Sequence, residues 1–224
     1  MHTTRRECND YKPYFIIKIM RLDVPFYPQT TEMNCGPYAL KMVLAFFGEE
    51  ISIQILEQRT GIKEAKGVMT IQIATAAALS GYRTEFYSKQ LSLNPEHLNL
   101  EFYQKHQDLT LDSEKLIHDA LQAGVKLEER ILSIEKVISH VNEKSIPIVL
   151  LDWNIIKGIR GKYHGHFVPI VGYDDTNVYV HNHGLKNPTA FFSIPKELFD
   201  EARKAQGTDE DILIVYKEKL VKAL

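Results

Sequence analysis

Asp23-Val-Pro-Phe-Tyr-Pro-Gln29, followed after a short loop by Asn34-Cys35-Gly36-Pro37, is the stretch whose reading settles how this chain folds. Pro25 and Pro28 fix φ and remove two N–H donors, so this segment is extended rather than helical. From Cys35 the pattern changes. Ala39, Met42, Val43, Phe46 and Phe47 recur at helical spacing, and Gly48 stops the run. Cys35 and Gly36 therefore stand at the N-terminus of a buried helix, where partial positive charge and free N–H groups favour a thiolate. Pro37 suits the first helical turn. Gly36 is expected to leave room beside the sulfur for a substrate backbone. Gln29 can aim its amide NH2 at the point faced by the Cys35 N–H, and two such donors make an oxyanion hole.

Outward from Cys35, Ser52 reads as the cap of a short helix ending before Gly61. Thr70 reads as the cap of an alanine-rich helix ending at Gly81, and 83–88 alternates as a strand. Residues 89–131 are more polar and predict a solvated helical insertion, with Asn94-Pro95 and Asp112 as helix starts. Ser133 opens another helix. The back half then switches to period two. Strands are expected at 146–151, 166–173, 178–182, 190–193 and 212–216, with one more helix from Pro195 to about Lys204. Trp153, just after the first of these strands, is expected to line the substrate groove.

His166 and Asn182 flank the turn Tyr173-Asp-Asp-Thr-Asn177. If Asp175, Thr176 and Asn177 form a three-residue loop, Asp174 opposes Val178, and His166 and Asn182 share a face. An even loop would put His166 with His181 and His183.

Composition bounds the rest. The 224 residues carry 27 Lys plus Arg against 29 Asp plus Glu, a net charge of -2, which argues against a protein that lives on phosphate backbones and so against nucleic acid as partner. At 44% hydrophobic the chain is not disordered, and two cysteines, Cys8 and Cys35, cannot staple a fold of this size. No apolar run approaches a membrane span, and Arg5 and Arg6 precede no convincing signal peptide. A cytoplasmic location is expected. Residues 1–20 read as an N-terminal extension and 21–224 as one α+β domain.

The residues carry a resemblance. The Asp23–Gln29 and Asn34–Pro37 segments, with His166-Phe-Val-Pro-Ile-Val-Gly-Tyr-Asp174 followed by Val178-Tyr-Val180, resemble the motifs of the bacteriocin-processing, double-glycine leader peptidases. The resemblance spans about 21–48 and 146–183. It implies a papain-like fold, helical front half against antiparallel sheet, and a cysteine peptidase acting on a peptide or protein without a cofactor or metal. It further implies Gln29 as oxyanion donor, Cys35 as nucleophile, His166 as base and Asn182 as its orienter. Asp is the usual family residue in the last place, and an amide lends the imidazolium no full charge.

Other readings share these residues. A deamidase, transglutaminase or acyltransferase would use the same acyl-enzyme, and a peptide-binding module could keep the fold without catalysis. The pairs His164-Gly-His166 and His181-Asn-His183 could instead ligate zinc or copper, a reading that leaves Gln29 and Cys35 without a role.

Overall fold

The computed structural model describes residues 19–220. The expected extension, apart from Ile19 and Met20, lies outside the described residues, as does Cys8. The strands are β1 (Met20–Arg21), β2 (Tyr82–Ser88), β3 (Lys126–Glu129), β4 (Ser145–Asp152), β5 (Gly165–Tyr173), β6 (Asn177–Asn182), β7 (Thr189–Pro195) and β8 (Ile212–Lys219). They form one sheet in the order β3-β2-β8-β4-β5-β6-β7, and β1 pairs with the far end of β5. Every pairing is antiparallel except β2 with β3.

The helices are α1 (Cys35–Phe46), α2 (Ile53–Thr60), α3 (Thr70–Leu79), α4 (Glu101–His106), α5 (Ser113–Gln122), α6 (Ile134–Ser139), α7 (Trp153–Ile156) and α8 (Lys196–Arg203). α1 lies against β5, and α3 against β2. Leu40, Met42, Val43 and Leu44 of α1 are fully buried, as are Val168, Ile170 and Val171 of β5. Each such side chain contributes about 1.5–3 kcal/mol by leaving water. This packing brings the start of α1 to the start of β5, and so Cys35 to the neighbourhood of His166. The fold is α+β, as the sequence reading expected.

The departures have local causes. Thr70 is the first residue of α3 and not its cap, because its hydroxyl is drawn to the Asp211 carboxylate. The insertion is not simply solvated helix. Its C-terminal part supplies β3, which extends the sheet beside β2, and α5 packs on α3.

The β5–β6 hairpin corrects the expected turn. Asp174 N–H donates to the Asn177 carbonyl at 3.0 Å, so the loop is the two residues Asp175 and Thr176. That even loop alone would have exchanged faces. A bulge at Val171, between the pairs Ile170–Val180 and Gly172–Tyr179, restores the parity. His166 and Asn182 thus meet on one face by a route different from the one expected. Asp174 holds the turn: Oδ1 accepts the Thr176 and Asn177 N–H groups at 2.8 and 2.7 Å, and Oδ2 accepts the Tyr179 hydroxyl at 2.5 Å.

The Tyr179 hydroxyl, with the turn N–H groups, keeps the Asp174 carboxyl well below the usual carboxylate range. Its contribution is therefore complete above about pH 4, the unfolded value, and is lost as pH falls toward the folded one. Asp174→Ala is expected to cost about 1.5–3 kcal/mol in urea unfolding at pH 7, and the gap from wild type should narrow below about pH 4.

Candidate active site

Cys35 opens α1, and no side chain caps that helix. Asn34, fully buried, is spent elsewhere. Its Oδ1 accepts the Thr31 N–H at 3.1 Å, and its Nδ2 donates to Glu57 Oε1 at 2.9 Å. The first-turn donors are thus left to the sulfur, which faces the backbone N–H groups of Phe167, Gly36 and Cys35 itself. Burial nonetheless outweighs them and pushes the Cys35 thiol up from its ordinary value. Gly36 does not open space for a substrate. A Cβ there would lie 2.6 Å from Ile73 Cδ1 and 2.8 Å from Val68 Cγ2, so its missing side chain lets α1 close on α3.

His166, near the start of β5, is buried, and its Nε2 has no hydrogen-bond partner, the Cys35 sulfur included. Burial, then the neighbouring His183, His164 and Lys157, hold it well below the ordinary histidine range, while Asn182 acts in the opposite sense. Asn182 is close but otherwise engaged: Nδ2 donates to the Asn187 carbonyl at 3.2 Å, and Oδ1 accepts the Gly184 N–H at 3.4 Å. Trp153 meets the His166 ring edge-on at 5.0 Å. Together Gln29, Trp153, His166, Asn182 and Gly184 line one cleft.

Gln29 reaches this cleft with its donors occupied. Nε2 donates to the Thr31 carbonyl at 2.8 Å and lies 3.4 Å from that of Glu32, while Oε1 is buried without a partner. The expected aim at the Cys35 oxyanion point is therefore not the arrangement seen, because the loop before Cys35 presents its own carbonyls to the amide.

One residue of the site escaped the sequence reading in this role. His183 Nε2 lies 2.9 Å from the Cys35 carbonyl, and Nδ1 lies 3.1 Å from that of His181. Its ring is 4.9 Å from His166. The His-x-His spacing was the available signal, but it suggested a metal. His181 instead faces away, with Nε2 2.9 Å from the Val24 carbonyl and Nδ1 accepting the Phe191 N–H at 3.2 Å. Among the described residues no group of three or more His, Cys, Asp or Glu is placed to hold a metal.

Cys35 does not line the His166 cleft. It borders a second cavity, under Phe86, Phe102 and Tyr103, and the two spaces meet along Glu32, Met33, His106 and Gly165. α4 and its surroundings thus roof the site, which gives the polar insertion a place at the cleft.

A model of the family described as guanylylate cyclase matches residues 24–215. The chain belongs to this family. A curated relative, guanylyl cyclase 1 of Arabidopsis thaliana, is 25% identical over 215 residues, covering 89% of this chain and 77% of the relative. Among solved structures, a C39-like peptidase from Bacillus anthracis is similar with a TM-score of 0.56 at 15% identity, covering 91% of this chain and all of that one. A double-glycine-motif protease from a transporter, solved with its leader peptide, gives a TM-score of 0.49 at 17% identity, covering 88% of this chain and 94% of that one. The fold is thus like that of a C39-like peptidase, while by sequence family the chain falls among the guanylylate cyclases. No helix among the described residues is long and apolar enough to cross a membrane.

With the thiol pushed up and the imidazole pushed down, both groups of this family member are neutral at pH 7. Alkylation of Cys35 by iodoacetamide, followed by peptide mapping, should keep accelerating beyond pH 9 instead of levelling near neutrality. A plateau below pH 7 would mean a preformed thiolate–imidazolium pair.

Proposed function

We propose that the chain is a cysteine-dependent hydrolase of amide bonds in a peptide or protein. The observation that carries this is the placement of Cys35 at the head of α1, its sulfur among three backbone N–H groups, beside the cleft that holds His166, Asn182 and Trp153. The steps follow from the neutral groups. The Cys35 side chain turns from Phe167 toward His166, whose free Nε2 takes the thiol proton as sulfur attacks the carbonyl. The Cys35 and Gly36 N–H groups, and Gln29 once it leaves the Thr31 and Glu32 carbonyls, hold the oxyanion. His166 returns the proton to the leaving amine, then activates water for release of the acyl group. Asn182 orients the ring, and Trp153 walls the groove. Deamidation or acyl transfer would use the same first half. A cytoplasmic setting, and a peptide as partner, belong to this reading.

The family match supports a second reading, cyclisation of a guanine nucleotide.

Mass spectrometry of peptide mixtures incubated with wild type and Cys35→Ala separates these readings. Cleavage lost in the variant, by at least about 100-fold, is the expected result. A one-dalton gain at Gln or Asn would mean deamidation. Conversion of GTP to a cyclic product at the same rate in both proteins, with no peptide change, would overturn the thiol mechanism.

A further inference from the structure

The lining of the cavity bordered by Cys35 includes an acid that the hydrolytic steps leave unused. Asp211 stands just before β8. Its Oδ2 accepts the Thr70 hydroxyl and the Ser88 hydroxyl is a second polar neighbour, while Oδ1 is buried with no hydrogen bond among the described residues. Tyr163, whose buried hydroxyl also has no hydrogen-bond partner among the described residues, belongs to the same lining. Of the two other acids in the lining, Glu32 is exposed where the two spaces meet, and Asp209 is already engaged with His97 Nε2 at 3.2 Å and Asn94 Nδ2 at 3.3 Å. No Lys or Arg lines the cavity. Its walls are apolar, chiefly Phe86, Leu91, Phe102, Leu150 and Phe167. Its volume is about 70 Å³, roughly half of the ~150 Å³ that accepts a benzene ring.

A buried carboxylate oxygen without a donor is costly, and a buried charge is tolerated when it is paired. A hydroxyl or amide would supply the donor but leave the charge. A small, mostly apolar cavity lined by an acid and aromatic rings, with no lysine or arginine among the described residues of its lining, suits a thin aliphatic stem with a cationic tip. We propose that this cavity is a recognition site for a primary alkylammonium, the end of a lysine side chain or of a free aliphatic amine, with Asp211 Oδ1 as its counter-ion. Burial pushes the Asp211 carboxyl up to about 7 in the free protein, so a bound cation favours the ionised acid and releases a proton near neutral pH. The site deepens the hydrolase reading, since an amine-ended side chain seated here lies beside Cys35. Binding itself does not depend on catalysis.

The test is ligand-observed NMR at pH 8 with n-butylammonium and with 1-butanol, its neutral counterpart. Wild type should bind the cation at least about ten-fold more tightly. Asp211→Asn, which keeps the shape and the Thr70 contact, should lose that preference. Leu91→Trp, which narrows the cavity and spares the acid, should weaken both probes and covers the case in which the Asn variant does not fold. Equal binding of the two probes by wild type, or unaltered cation binding in either folded variant, overturns the proposal, as does no binding at all, which would mean a cavity for water. In Cys35→Ala, displacement of butylammonium by a lysine-containing peptide but not by its norleucine counterpart assigns the site to a side chain. Failure of both peptides to displace it assigns the site to a free amine. Loss of peptide cleavage as an activity, with butylammonium still bound, would count against the hydrolase reading alone.

Discussion

The hydrogen bonds of His183 hold the candidate site together. Its ring reaches the Cys35 carbonyl, and its own carbonyl accepts the Gln29 N–H at 2.8 Å. One residue at the end of β6 thereby fixes both the extended segment before the nucleophile and the first residue of α1. Burial pushes the His183 ring down to about 4 although two carbonyls favour its charged form. A neutral ring has one N–H, and it is assigned to Nε2, the nitrogen nearer its acceptor. Each such bond is worth only about 0.5–1.5 kcal/mol, but leaving the buried carbonyl or ring nitrogen unmatched costs about 1–3. The geometry is therefore held more firmly than the net energies suggest.

Around that clamp, burial sets the chemistry. Desolvation raises the Cys35 thiol and lowers His166, so the free protein keeps both neutral and separate. The helix terminus and three N–H groups oppose this for the thiol without overcoming it. The Gln29 amide donates to the loop before Cys35, while the Asn34 amide accepts the Thr31 N–H and donates to Glu57. For the proposed reaction this arrangement means side-chain rotation before attack, under the α4 residues that line both spaces.

Family and fold give different leads here. The family is named for a nucleotide cyclase, while the fold is shared with a C39-like peptidase at low identity. A shared fold supports many chemistries, so function has to be argued from the site. The site offers a thiol at a helix terminus, an imidazole with a free nitrogen and an acid in the lining of a mostly apolar cavity.

Much of the fold was legible because period two and period 3.6 separate cleanly in this chain. The buried strands at 146–151 and 166–173, the helix from Cys35 and its stop before Gly48 follow from apolar spacing and local backbone preference alone. Residue types at Cys35, His166 and Asn182 carried the proposed chemistry in the same way. What the sequence could not decide depends on distant partners. The Val171 bulge re-registers β5 against β6, Asp211 claims the Thr70 hydroxyl from across the core, and the room beside Gly36 is taken by Ile73 and Val68. Likewise the aim of Gln29 and the clamp of His183 are set by carbonyls on other segments. Local periodicity determines the elements, because it acts within a few residues. The direction of each polar side chain was left to the tertiary structure, because it depends on which unpaired group happens to lie opposite.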